Sequence, residues 1–247
     1  MITARYKIAG KVVEVNSIYS DVHKYCADYV SEEPEDYSVT ISQENIDFER
    51  ERSARENIAE GRKVIEYSDG YLEELAVYRK IADKLLEYDT ILFHGSVIAV
   101  DGVGYLFTAK SGTGKSTHPR YWREVFGERA VMVNDDKPLL HIDNSEVTAY
   151  GTPYNGKHRL GTNTAVPLKA ICILTRSEEN HIEPVTRSQA YTMLLKQVNR
   201  PADAEKMHKT LKLIDRLAEN VRLYRLGCNM SPDAARVAFE GMNKTDN

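Results

Sequence analysis

Ala109-Lys110-Ser111-Gly112-Thr113-Gly114-Lys115-Ser116 decides the reading of this chain. It has the spacing of a phosphate-gripping P-loop, with alanine where the first glycine usually stands. Glycines at 112 and 114 let successive backbone N–H groups turn inward around phosphate oxygens; Lys115 adds a mobile positive charge and Ser116 a hydroxyl for Mg²⁺. The implied ligand is a nucleoside triphosphate, held by Ser111, Gly112, Thr113, Gly114, Lys115, Ser116 and the following Thr117.

The residues just upstream are two apolar runs, 91–100 and 105–109, around Asp101-Gly102-Val103-Gly104, which reads as a β-hairpin. The strand entering the loop is therefore expected to be antiparallel to the one before it. Common nucleotide-binding α/β folds reach a neighbouring strand through a crossover helix, so the hairpin points to a different P-loop architecture. A turn centred on 101 and 102 places His94 across from Ala109; one spanning 101–104 places it across from Ser111. In both registers a histidine stands at the mouth of the loop.

Beyond the loop, Lys115 to about Phe126 reads as a helix whose N-terminal dipole faces the phosphates, with Pro119 tolerated near the end of its first turn. A short apolar strand, Ala130-Val131-Met132-Val133, then ends in Asn134-Asp135-Asp136. Such a triplet is an ordinary turn. Downstream of a P-loop it is also what a Mg²⁺-triphosphate site requires, one carboxylate for the metal and one to accept a proton from an attacking hydroxyl.

With these residues in hand, the chain resembles the nucleotide core shared by HPr kinase/phosphorylase and ATP-dependent phosphoenolpyruvate carboxykinase. The resemblance covers roughly residues 90–175. It rests on the order of Phe93-His94-Gly95-Ser96, the hairpin, Ser111 to Thr117, and Asn134-Asp135-Asp136. A nearer likeness is to small HPr-kinase-like proteins with His-Gly-Ser, Ser-Gly-Thr-Gly-Lys-Ser-Thr-His, Asn-Asp-Asp-Lys-Pro and Gly-Thr-Pro-x-x-Gly-Lys. All four patterns occur, at 94–96, 111–118, 134–138 and 151–157. The resemblance implies that Lys115 and Ser116 contact phosphate and metal, that Asp135 is the candidate base and Asp136 the candidate metal ligand, and that His94 neighbours metal or phosphate. The residues alone do not divide the two aspartate roles. Thr117 stands where HPr kinase/phosphorylase has glutamate, its later glycine-rich segment has no clear equivalent, and the oxaloacetate-binding arginines of the carboxykinase find no place.

Gly151-Thr152-Pro153-Tyr154-Asn155-Gly156-Lys157-His158-Arg159 reads as a loop with three adjacent basic side chains, a composition that suits anion binding. Lys157 or Arg159 is expected to neutralise the transferring phosphoryl group or the acceptor; a solvated basic loop is the plain alternative. Lys137 and His118 adjoin motifs and are equally consistent with pointing to water.

Composition agrees. A chain of 247 residues can bury roughly 70–75 per cent of its unfolded surface. A net charge of −4 gives no electrostatic case for nucleic acid. Cys26, Cys172 and Cys228 are widely spaced and odd in number, which suits a reducing compartment and suggests neither zinc nor a disulfide frame. With no signal-peptide pattern and no apolar run approaching membrane length, a cytoplasmic, soluble protein is expected.

The expected architecture is an α/β fold with a mixed sheet: residues 1–88 an N-terminal α+β extension, residues 89–247 an HPr-kinase-like P-loop core with a helical C-terminal part. Residues 5–15 alternate like one strand, 18–30 look helical, Ser38 to Ile41 is another strand, and Tyr71 to Glu87 is an amphipathic helix. Helices are expected over 189–199, 202–220 and from Ser231-Pro232-Asp233 to about Met242, with a strand over 221–226. Functionally this reads as an ATP- and Mg²⁺-dependent kinase phosphorylating a serine-like hydroxyl of a protein, peptide or small metabolite. A nucleotide-sensing module without catalysis and a carboxykinase-like lyase are the alternatives. HPr kinase relatives form rings, so the resemblance also implies a homo-oligomer.

Overall fold

The computed structural model describes residues 1–59, 61–110, 113–115, 117–156 and 158–244. Ser111, Gly112, Ser116 and Lys157, all assigned roles above, lie outside the described residues. The architecture is mixed α/β with mixed sheets, and the chain divides into two compact units, Met1–Lys84 and Leu85–Asn247.

In the first unit, β1 (Ile2–Ile8) and β2 (Lys11–Ser17) form an antiparallel hairpin, and after a short helix α1 (Asp21–Tyr25) strand β3 (Tyr37–Thr40) adds parallel to β2. The single strand expected over 5–15 is thus two strands. Ala9 and Gly10 take φ values of 50° and 75° and reverse the chain. Helix α2 (Gln43–Ala59) has no counterpart in the sequence reading, because its buried residues are Ile46, Glu49 and Asn57, which leave no apolar stripe to detect. Buried Glu49 is paired with Arg79 of α3 (Asp69–Leu85).

In the second unit, the apolar run 91–100 is also broken. β4 (Thr90–Leu92) pairs with β8 (Leu139–Ile142), whereas β5 (Ser96–Val100) lies between β6 (Val103–Thr108) and β7 (Ala130–Asn134). The β5–β6 hairpin has the two-residue turn: Val100 faces Val103, with Asp101 and Gly102 at φ 52° and 79°. β9 (Val147–Tyr150) continues from β8 to the long β10 (Ala165–Arg176). The first residues of β10 pair with β9; the rest run parallel to β6 and to β12 (Arg222–Cys228), whose other edge carries β11 (His181–Pro184).

Alternation along β5 sorts two cores. Val97 and Ala99 pack with α5 (Arg187–Gln197) and α6 (Ala204–Asn220), while Ile98 and Val100 pack with α4 (Thr117–Phe126) and α7 (Asp233–Asn243). Fully buried residues such as Phe107 each contribute about 2–3 kcal/mol of apolar burial. Because β6, β7, β10 and β12 all run antiparallel to β5 or parallel to one another, their C-terminal ends share one sheet edge with the start of β5. Among the described residues, no helix is long and apolar enough to cross a membrane.

Candidate active site

That edge gathers the chemistry-bearing motifs, since crevices at the C-terminal ends of parallel strands are where open α/β sheets place ligands. Gly114, between β6 and α4, has a φ of 107°, in a region that glycine alone adopts without strain. Gly114 O then accepts from Thr117 N and His118 N, both at 3.0 Å, which starts α4. Lys115 Nζ donates to Ala109 O at 3.3 Å. Burial lowers the Lys115 pKa, opposed by the charge of Asp136.

Ser96, 1% exposed, ties this loop to the neighbouring strand. Its hydroxyl donates to Asp135 O at 2.9 Å and lies 3.4 Å from Lys115 O. Buried Asn134 sets the geometry beyond β7: Oδ1 accepts from Asp136 N at 2.9 Å and Lys137 N at 2.6 Å, and Nδ2 donates to Thr152 Oγ1 at 3.0 Å. The Thr152 hydroxyl donates on to Lys137 O at 3.1 Å. Asn134 and Thr152 are thus anchors, a role the motif reading did not assign.

The two aspartates sit differently. Asp135 Oδ1 accepts from Gly156 N at 2.6 Å. A Cβ at Gly156 would stand 3.0 Å from Asp135 Oδ2, so a methyl there would press on the carboxylate and shift it by a few tenths of an ångström. Asp136 instead faces His94, with Nε2 to Oδ1 at 3.3 Å, and Lys137, with Nζ to Oδ2 at 3.8 Å. Burial pushes the Asp136 pKa up, but the His94 hydrogen bond and the charges of Lys137, His94 and Lys115 outweigh it and hold the carboxyl below its usual range. Asp136 is therefore an ionised oxygen donor. Among the described residues no group of three or more His, Cys, Asp or Glu side chains is placed to hold a metal. A single hard carboxylate fits Mg²⁺ carried in with phosphates and water, not a cage built wholly from protein.

His94 is positioned by its backbone. Phe93 N, His94 N and Gly95 N donate to Pro138 O, Gln197 O and Asp136 O, and His94 O accepts from Thr108 Oγ1. The strand break at 93–95 thus directs the imidazole toward Asp136.

His118 does not point to water. It is 3% exposed, accepts from Trp122 Nε1 at 3.0 Å, packs edge-on against Phe107, and is driven by burial to a pKa of about 3. The reason is its place on the inward face of the first turn of α4. Beside it opens a pocket of about 410 Å³ that adjoins Thr113, Gly114 and Thr117 and is walled by Tyr121, Arg176, Cys228, Asn229 and Met230. No local signal marks the last four of these; the ends of β10 and β12 deliver them.

On the opposite side of α4, Asp135 shares a small pocket with Arg120, Arg123 and His158. Arg159 is exposed in a turn, with φ 48° and its N–H donating to Gly156 O. Of the described residues of the basic run, His158 lines the pocket of Asp135.

Among solved structures, the HPr(Ser) kinase/phosphatase from Coxiella burnetii is similar over 61% of this chain and 95% of that one, with 10% sequence identity and a TM-score of 0.35. Comparison with curated proteins gives no match. The family model described as SynChlorMet cassette protein ScmC matches residues 71–232, more than half of the chain, and the chain belongs to that family.

Proposed function

We propose that this protein is an ATP-dependent kinase, built on an HPr-kinase-like P-loop core, that transfers the γ-phosphoryl group to a hydroxyl. The carrying observation is the adjacency of the Lys115 loop and the Asp135–Asp136 turn. Ser96 bridges the two backbones, and Asp136 tempers the loss of charge on Lys115. The pocket of about 410 Å³ beside Thr113 and Thr117 has the size of a small-molecule site and suits the nucleoside.

Residues 111–117 would cradle the phosphates, and Lys115 would neutralise charge at the bridging and γ oxygens. Ser116 and Asp136 would hold Mg²⁺, which when bound offsets phosphate charge. His94, bonded to Asp136, keeps that carboxylate ionised and oriented. Asp135, pinned by Gly156 N–H, takes the proton of the acceptor hydroxyl as its oxygen bonds to the γ-phosphorus and the bond to the β-phosphate oxygen breaks, releasing ADP.

Incubation with γ-labelled ATP and fractionated lysate, followed by mass spectrometry of the labelled species, tests this. Lys115→Ala should abolish label transfer with the fold retained, and Asp135→Asn should cost about 10²-fold or more in turnover. Transfer undiminished in Lys115→Ala would sink the reading.

A further inference from the structure

We propose that the acceptor carries an anion, a carboxylate or phosphate, close to the hydroxyl that is phosphorylated, and that Arg120, Arg123 and His158 recognise it. The proposal rests on the phosphoryl-transfer reading and names the substrate class of that site.

The 3.6-residue period of α4 gives its amino-terminal half two working faces. Thr117, His118 and Tyr121 look into the large pocket, whereas Arg120 and Arg123 look into the one that contains Asp135. A donor whose nucleoside fills the first pocket extends its phosphates across the start of α4 toward the second, where the candidate base stands. The second pocket, with about 20 Å³ of free volume, admits one small group of an acceptor whose remainder lies outside it; it is therefore the acceptor side, and its charged walls describe the group recognised.

Those walls are cationic in a chain of net charge −4. Arg120 and Arg123 are spaced i, i+3 on one helix face, where like charges repel, so the helix itself gains nothing from the pair. Among the described residues neither has a carboxylate partner; Arg120 lies 5.3 Å from the centroid of the Tyr121 ring. Some exposed arginines elsewhere are neutralised, as Arg129 is by Asp101 and Arg187 by Glu219, while others such as Arg200 and Arg236 stand singly among the described residues; what sets Arg120 and Arg123 apart is that both line the pocket of Asp135. Asp135, which accepts from Gly156 N–H, makes no ion pair with either arginine, and the pocket they share carries two guanidinium charges against its one carboxylate. Two arginines lining one pocket supply planar guanidinium donors of the kind that pair with a carboxylate or phosphate.

In the reaction the acceptor oxygen bonds to the γ-phosphorus, the bond to the β-phosphate oxygen breaks, ADP leaves and the hydroxyl proton passes to Asp135. The acceptor's own anion stays paired with the arginines throughout.

The test uses the full chain saturated with Mg²⁺ and a non-hydrolysable ATP analogue. Calorimetry compares glycerol 3-phosphate and glycerate with glycerol, and a serine peptide flanked by aspartates with one flanked by lysines. Binding of an anionic probe in preference to its neutral or basic counterpart is expected. In the Arg120→Gln/Arg123→Gln variant that binding should weaken about tenfold or more, while the nucleotide analogue binds as in wild type. Preference among the small anions would identify a metabolite acceptor; preference confined to the acidic peptide would identify a peptide or protein. Equal binding of anionic and neutral probes, or undiminished binding in the variant, overturns the proposal. Failure of the nucleotide analogue to bind at all would instead overturn the phosphoryl-transfer reading and take this proposal with it.

Discussion

His94 Nε2 stands 3.3 Å from Asp136 Oδ1, and the contact joins two segments that belong to different sheet ladders. It exists because Gly95 N donates to Asp136 O and fixes the two backbones first. With His94 removed, burial of Asp136 is opposed only by Lys137 and Lys115, so its pKa rises. The carboxylate then protonates at higher pH as the solution is acidified. His94→Ala should therefore shift the acid limb of Mg²⁺-ATP binding upward in pH and cost about tenfold in turnover. Superimposable pH profiles for variant and wild type would show that His94 does not set the ionisation of Asp136.

Asn134 should matter for stability before it matters for chemistry. Its side chain satisfies Asp136 N, Lys137 N and Thr152 Oγ1 in a buried setting. Asn134→Ala leaves Asp136 N and Lys137 N without this acceptor, whereas Thr152 Oγ1 keeps Lys137 O and Tyr154 N, and should cost about 2–4 kcal/mol in denaturant unfolding. A loss below ~0.5 kcal/mol would mean that the turn is held by other contacts.

Gly156→Ala should act the other way. The added Cβ meets Asp135 Oδ2 at 3.0 Å and must displace it. Since small misplacements of a catalytic group are costly, turnover should fall about tenfold or more with little change in melting temperature. Unchanged turnover would remove Asp135 from the role of base.

His118 predicts a stability slope in acid. Its folded pKa of about 3 lies below the ordinary histidine value, so the unfolded chain binds more protons in between. The stabilisation is complete above the ordinary value near 6.5 and is lost as pH falls below it, by up to about 1.4 kcal/mol per pH unit. Between pH 6.5 and 5, His118→Gln, which keeps an acceptor for Trp122 Nε1, should flatten the slope of unfolding free energy. Parallel slopes would place a titratable group elsewhere.

Legibility followed range. The β5–β6 hairpin was readable because Asp101-Gly102 is a local turn signal, and its two-residue register matches one of the two alternatives in the sequence. The break at 93–95 was not, because Phe93 is as apolar as its neighbours and only distant acceptors at Pro138, Gln197 and Asp136 pull the chain aside. Helix α2 was missed for the opposite reason: its buried face includes Glu49 and Asn57, so the tertiary partner Arg79 stands in for an apolar stripe.

By itself the sequence determined the local pieces of the candidate site: the glycine-spaced loop at 109–116, the Asp-Asp pair at the end of an apolar strand, and the basic run at 157–159. Turn chemistry, strand alternation and residue type over a few positions carry those, because they depend on backbone conformations and charges set within a few residues. Only the tertiary structure decided which of them meet. It set His94 on Asp136, Gly156 against Asp135, and Arg120 and Arg123 beside His158, while the ends of β10 and β12 supplied Arg176, Cys228, Asn229 and Met230 to the large pocket. The physical reason is that strand order and register, fixed by the packing of two cores on the faces of one sheet, bring together residues that no local pattern connects.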